Sequence, residues 1–513
     1  MKKKNVVVVG AGPGGLSSAM ILAHRGCAVT VFEKKPVGGG RNAPLRMNGF
    51  TFDTGPTFLM MNFILEELFR ETGRKASDYL NFKRLDPLYH LAFDDRDFSP
   101  VPDRDRMRAE IRRVFPGNEE GFERFLAAES RRYELLFPCI QKHYSSFWTL
   151  FSRTLLRALP HLGIGSSLFE NLGHYFKDEK LKLSFTFQSK YLGMSPWDCP
   201  ALFTMLPFVE HRYGIFHVMG GLNRISQVMA DVVREEGGSI KLSTPVRSLM
   251  LDGKTVKGVI LETGEEVPAD DVIINADFAH AMTRLVPPGV LKKYSEPRLR
   301  KKEYSCSTFM MYLGINGVCP MDHHTVIFAK DYKTNVNNIF HRKILSEDMS
   351  FYVQNASVTD PSLAPPGKST LYILVPVPNR TADIDWDKER DTFRARVLDM
   401  VIARTPMKDL MSRIETEKII TPQDWDESYD IFFGATFNLS HRMSQLLYLR
   451  PHNRFEELRN CYLVGGGTHP GSGLPTIYES ARITSNLLSD KYGLPYSSPS
   501  ALFKKRTVQD QKA

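Results

Sequence analysis

Four consecutive valines, Val6 to Val9, give the chain an apolar run of strand length near its start. A helical pattern follows from Leu16 to His24, closed by Gly26, and a second apolar run spans Ala28 to Phe32. Strand, helix and strand in this order predict a βαβ unit. Much later, Val246 to Leu251 and Val256 to Leu261 alternate on either side of Asp252-Gly253-Lys254, the pattern of a hairpin. Val272-Ile273-Ile274 then reads as a buried strand ending in Asn275-Ala276-Asp277. Near the end, Cys461 to Val464 reads as a short strand and Thr476 to Leu488 as a helix. Pieces suited to one sheet are therefore scattered, which predicts a discontinuous first domain of residues 1–85, 222–298 and 456–495. Residues 86–221 and 299–455 would form the second domain, and 496–513 a tail. The fold class is α/β, a Rossmann-like dinucleotide-binding domain joined to a mixed α+β substrate domain.

The turns between these elements carry the chemistry. Gly10-Ala11-Gly12-Pro13-Gly14-Gly15 is a G-x-G-x-x-G turn between strand and helix. Its glycines permit a tight turn, close approach to a pyrophosphate and close helix packing. Glu33 ends the second strand, where an acid holds a ribose hydroxyl. A second cluster, Gly38-Gly39-Gly40-Arg41, adds another backbone approach and a cation. Phe52-Asp53-Thr54-Gly55-Pro56-Thr57 is a turn-rich return. Gly465-Gly466-Gly467-Thr468-His469-Pro470-Gly471-Ser472-Gly473-Leu474-Pro475 leads into the last helix and exposes free N–H groups at its positive end. Two cradles suit an extended flavin dinucleotide, FAD, better than NAD. The candidate cofactor residues are Gly10, Gly12, Gly14, Gly15, Glu33, Gly40, Arg41, Gly55, Pro56, Thr57, Val246, Gly466, Gly467, Thr468, Gly473 and Leu474.

Composition narrows the class. The 513 residues suffice for two domains and show no repeat or low-complexity tract. Six scattered cysteines form no CxxC pair, so neither a disulfide framework nor a metal site is expected. Lys2, Lys3 and Lys4 precede an apolar run too short for a signal peptide, and no segment has the length of a membrane span. The net charge of +9 suits a membrane surface, and no nucleic-acid module is present. A cytoplasmic protein bound peripherally to membrane is the expectation; a homo-oligomer stays open.

These motifs, in this order, resemble the bacterial-type carotenoid desaturases, the phytoene and diapophytoene desaturase family of FAD-dependent oxidoreductases. The carrying residues are Gly10 to Gly15 with Glu33, Gly39-Gly40-Arg41, Phe50 to Thr57 and Val464 to Ser480, with Thr468 to Pro475 the most specific. Tyr175 to Leu181, Glu210-His211-Arg212-Tyr213-Gly214 and Gly220-Gly221 also fit. The resemblance implies an amine-oxidase- and GDI-like architecture and introduction of double bonds into a linear isoprenoid. One departure is Ile215-Phe216-His217-Val218-Met219, where the family commonly has aromatic residues and a proline; His217 would make a substrate wall more polar. Open alternatives are another FAD oxidoreductase of this fold (amine oxidase, protoporphyrinogen-type oxidase, carotenoid isomerase or oxygenase, retinol-saturase-like enzyme) or a non-redox prenyl-lipid shield. Cys461 precedes the glycine turn, which argues against a covalent flavin.

Desaturation of this kind removes a hydride and a proton, and the flavin carries the first step. Candidates for the second are Glu210 and His217, with His211 beside them, while His469 could orient the flavin. Tyr144 to Leu162 reads as one amphipathic helix placing Tyr144, Trp148, Phe151, Leu155, Leu159 and Leu162 on a lipid-facing side opposite Arg153 and Arg157. Packing within its own domain is the alternative. Phe185, Phe187, Phe203, Met205, Phe208, Phe309, Met310 and Met311 would line an apolar channel or make a core.

Overall fold

The computed structural model describes residues 3–497. Lys504-Lys505-Arg506, expected as a solvated tail, lies outside them. Five parallel strands form the first sheet, in the order Ser239–Lys241, Ala28–Phe32, Asn5–Val9, Asp271–Ile274, Cys461–Leu463. The run of valines is explained by burial on both faces. Val6 and Val8 point into one core with Leu16 and Ala19 of helix Pro13–His24 and Ala481 of helix Leu474–Tyr492. Val7 and Val9 point into another with Leu249 and Val259 of the hairpin Val246–Asp252/Thr255–Leu261. Three distant stretches of chain thus meet in one sheet.

A seven-stranded sheet makes the second layer, in the order Ile414–Ile420, Ser307–Ile315, Ser369–Val377, Phe351–Gln354, His324–Ile327, His90–Ala92, Asp97–Phe98. Along Ser307–Ile315 the two-residue period divides the apolar side chains. Phe309 and Met311 face a core with Trp386 and Phe393, whereas Met310 faces the opposite side and lines a cavity between the two layers. A small sheet of Leu59–Met60, Ile215–Val218 and Phe82–Arg84 ties the layers together and spans the position 85 boundary. Asp53 fastens the same junction. Its carboxylate accepts from Leu222 N (2.9 Å), Asn223 N (3.0 Å) and Asn223 Nδ2 (3.1 Å), clamping the turn after Gly220-Gly221.

The single helix expected over 144–162 is broken. The segment folds as 3-10 turn Phe147–Phe151, helix Arg153–Ala158 and 3-10 turn Leu159–His161. Ser146 and Ser152 each accept a bond from backbone two or three residues on (Trp148 N, Leu155 N) and restart the chain direction. The expected single face therefore splits. Tyr144, Leu155 and Leu162 are buried together, while Trp148 (77% exposed) and Phe151 (56%) stand in solvent.

Candidate cofactor and substrate site

The cavity between the layers measures about 1080 Å³ and collects residues from every glycine motif. At the first turn Gly10 has φ +97°, and Asn275 Nδ2 donates to its carbonyl (3.0 Å). A Cβ on Gly15 would lie 2.2 Å from the Gly10 oxygen, and one on Gly14 2.8 Å from Val464 Cγ2. Helix, turn and Asn275 are thus in closest contact, and only glycine fits there. Glu33 is buried against the turn; Oε2 accepts from Ala11 N (2.8 Å) and Oε1 from Lys35 N (2.9 Å). Each oxygen keeps a lone pair for a ribose hydroxyl.

Two helix N-termini, Pro13–His24 and Leu474–Tyr492, open onto this cavity, and neither has an acidic residue in its first turn. Their partial positive charge is left for an anion. Arg41 adds a full one; its guanidinium donates to Thr436 O (2.9 Å) beside Asp277. Burial pushes the Asp277 carboxyl up to about 6, against the pull of Arg41. Asp277 also caps helix Phe278–Arg284 by accepting from His280 N (3.1 Å). An extended pyrophosphate between two helix ends, with a ribose at Glu33, fits this donor set.

Of the candidate cofactor residues, Gly10, Gly12, Gly14, Glu33, Gly40, Arg41, Gly55, Pro56, Thr57, Val246, Gly466, Gly473 and Leu474 line the cavity. Gly15, Gly467 and Thr468 stand behind it. Gly467 packs on Phe278, and Thr468 Oγ1 donates to Pro451 O (2.6 Å). His469 is also behind, its ring against Tyr144, so it is not placed to orient the cofactor directly. The glycine turn itself rests on Arg450, which no motif signalled. This buried guanidinium donates to five carbonyls: Gly466 (2.7 Å), Thr468 (3.1 Å), Leu439 and Gln445 (both 3.2 Å) and Ser440 (3.3 Å). Burial pushes it down to about 9.

The remaining cavity wall is apolar and aromatic, with Phe58, Tyr89, Phe187, Met310, Tyr352 and Leu374. Of the expected channel residues only Phe187 and Met310 are on it. Phe185, Phe208, Phe309 and Met311 are in cores, and Phe203 and Met205 are half-buried off the cavity. Glu210 and His217 do not reach the cavity either. Glu210 lies one layer out, accepting from Gln188 Nε2 (2.8 Å) and Tyr89 OH (3.1 Å), and burial pushes it up to about 7. His217 turns away from the expected substrate wall to bond Asp360 Oδ2 (3.2 Å), because the strand's period points its side chain at that buried acid. His211 packs on Phe122 and Phe185, and burial pushes it down to about 4.

Comparison with known proteins agrees with this geometry. The model of the flavin containing amine oxidoreductase family matches residues 13–488. A 4,4'-diapophytoene desaturase (4,4'-diapolycopene-forming) of a Methylomonas species is 57% identical over 95% of this chain and 96% of its own. A zeta-carotene-forming phytoene desaturase of Myxococcus xanthus is 39% identical, covering 94% of each chain. An oxidoreductase from Methanosarcina mazei shares the fold, with TM-score 0.62 and 18% identity over 93% of this chain and 99% of that one. The chain belongs to the flavin-containing amine oxidoreductases and, within them, to the FAD-dependent carotenoid desaturases.

Proposed function

We propose that this chain desaturates 4,4'-diapophytoene, and not its longer analogue phytoene, at a membrane surface. The observation that carries the substrate is the 57% identity to a desaturase named for it, against 39% to one named for phytoene. FAD, when bound, supplies the two-electron acceptor for the hydride. The chain's residues do the rest. Glu33, Arg41 and the glycine turns hold the dinucleotide, and the aromatic wall from Phe58 to Leu374 excludes water and holds the hydrocarbon in register.

A hydrocarbon substrate resides in lipid, and one surface suits that source. Phe147, Trp148 and Phe151 are exposed, with Phe147 edge to face on the other two, and Phe147 packs on Tyr448 beside exposed Leu449. Leu156, Leu159 and Ile164 continue the apolar surface, with exposed Arg153 and Arg157 for anionic headgroups. No helix among the described residues is long and apolar enough to cross a membrane. Attachment through this patch would be peripheral. Trp148→Ser with Phe151→Ser is expected to lower partitioning onto anionic liposomes about tenfold or more; unchanged sedimentation would remove the patch from the reading.

The substrate is tested by incubating the FAD-loaded protein with liposomes carrying either hydrocarbon, without oxygen. Flavin bleaching with new long-wavelength polyene bands is expected for 4,4'-diapophytoene. Equal or faster turnover of phytoene would overturn the substrate assignment.

A further inference from the structure

Two side chains on the apolar wall are out of keeping with it: His324, whose Nδ1 meets Tyr352 OH (2.6 Å), and Lys190. The 3-10 element Phe187–Leu192 presents Phe187, Lys190, Tyr191 and Leu192 to the cavity. Lys190 has no carboxylate partner among the described residues; its Nζ lies 4.9 Å from the centre of the Tyr332 ring. Lys190 is half-buried, and an ammonium there without a counter-ion is costly to keep charged.

The element is held against the glycine turn that opens the last helix. Gly193, at φ +62°, leaves room for Ser305 and Phe437, which a Cβ there would meet at 2.5 Å and 2.7 Å. Gly193 O accepts from Cys306 N (3.1 Å), and Ser305 Oγ accepts from Phe437 N (3.1 Å). Phe437 O in turn accepts from Ser472 Oγ (2.6 Å), inside the glycine turn at the last helix. A short chain of contacts therefore fixes Lys190 relative to that turn.

We propose that Lys190 is the catalytic base that takes the proton from the substrate carbon next to the one that loses its hydride. A C–H bond breaks, its electron pair becomes the new C=C π bond, and the proton forms an N–H bond on Nζ. The hydride leaves the neighbouring carbon for the bound two-electron acceptor, so atoms and electrons balance. A neutral amine suits the task twice over: it accepts the proton, and it does not repel the positive charge that hydride loss creates on the polyene.

The Tyr332 ring face favours a charged Lys190, and no anion among the described residues reinforces it. Cys306, from the segment before Ser307–Ile315, is pushed up to about 12 by burial and stays a thiol. Tyr332 of helix Tyr332–Asn337 and Tyr191 and Tyr89 on the wall are raised phenols. His441, by the Leu192 backbone, is held neutral by burial, and Glu210 lies one layer away behind Gln188. Lys333 neighbours Tyr332 but stacks on Trp197. Burial pushes Lys190 itself down to about 7. That value lies near working pH, where a general base is most effective.

The inference rests on the desaturase reading, and one experiment separates the two. Wild type, Lys190→Met and Lys190→Arg, each with FAD content measured, are followed through a single turnover of 4,4'-diapophytoene. The wild-type rate is expected to rise with pH through about 7 and level off, and both variants to lose about 100-fold or more in rate at unchanged substrate affinity. Reductive 13C-methylation, read by NMR, supplies a measurement free of turnover: one lysine signal should titrate near 7 and be absent from Lys190→Met. Lys190→Met retaining wild-type rate and pH profile, or a Lys190 signal titrating above 10 as ordinary lysines do, overturns the proposal. A wild type that turns over neither hydrocarbon removes the desaturase reading instead.

Discussion

The two walls of the cavity are built on opposite principles. One wall, whose donors suit a dinucleotide, is mostly backbone: glycines at three turns, two uncapped helix ends and a few charges, Glu33, Arg41 and Asp277. The other uses side chains from many separate elements, such as Phe58, Tyr89, Phe187, Met310 and Tyr352. An anion of fixed shape can be recognised by fixed N–H groups. A featureless hydrocarbon offers no such handle and is recognised by shape alone. The first wall should therefore fail abruptly when altered and the second gradually.

The sharpest break is expected at Gly15→Val. Its Cβ would meet the Gly10 oxygen at 2.2 Å and Asn275 Nδ2 at 2.8 Å, neither of which can retreat without opening the turn. Loss of copurifying FAD and a lowered melting temperature are expected, with a cost of about 3 kcal/mol or more. By contrast, Phe187→Leu on the hydrocarbon wall should cost less than about 1.5 kcal/mol and leave the flavin bound. Equal damage from both would erase the distinction.

Arg450→Met tests whether the cradle depends on a support behind it. Five carbonyls lose their donor, each worth about 1–3 kcal/mol when buried and unsatisfied, though relaxation will recover part. A urea midpoint lowered by the equivalent of about 4 kcal/mol is expected, with weaker FAD retention. Wild-type stability in Arg450→Met would show that the turn holds its own shape.

This contrast also explains how much the sequence disclosed. The convergence of the Gly10 to Gly15 turn, Glu33 and the cluster before the last helix on one cavity was legible because these residue types have few other uses in such turns. The strand run Val6 to Val9 and the scattered sheet followed from burial on both faces. Asn275 was visible only as a polar end to a buried strand; its bond to Gly10 O needs the two strands paired. Arg450 and Lys190 carry no local signal, since an arginine before proline and a lysine beside tyrosine are ordinary surface patterns. The 144–162 segment misled because its apolar spacing was helical while Ser146 and Ser152 capped it into pieces. Glu210 and His217 were flagged by residue type and turn position, and type alone cannot tell a cavity wall from the layer behind it.

Glu210 gives the layer behind the hydrocarbon wall its own test. Burial holds its carboxyl protonated up to about 7, against 4.5 for an exposed glutamate. Below pH 4.5 folded and unfolded chains both carry the proton, so the group is neutral in the balance. Above that the unfolded chain releases it first, and stability falls until the folded carboxyl also ionises near 7. Glu210→Gln keeps a partner for Tyr89 and Gln188 and removes this decline. Between those two pH values the wild type should lose about 3 kcal/mol relative to the variant in urea titrations. Parallel curves would place an ionised carboxylate in the wall.

Glu33→Gln probes the cradle's charge rather than its shape. The amide oxygen can still accept from Ala11 N, while Lys35 N, only part-buried, loses its acceptor and turns to water, so melting should change little. What is lost is a charge-assisted acceptor for the ribose, worth about 1.5 kcal/mol, or roughly tenfold in FAD affinity. Fluorescence quenching of added FAD at two salt concentrations measures it. A tenfold loss at unchanged stability would show that even within the backbone-built wall one side chain binds without supporting the fold. Full affinity in Glu33→Gln would leave the ribose to the glycine turns and return Glu33 to bracing Ala11 and Lys35.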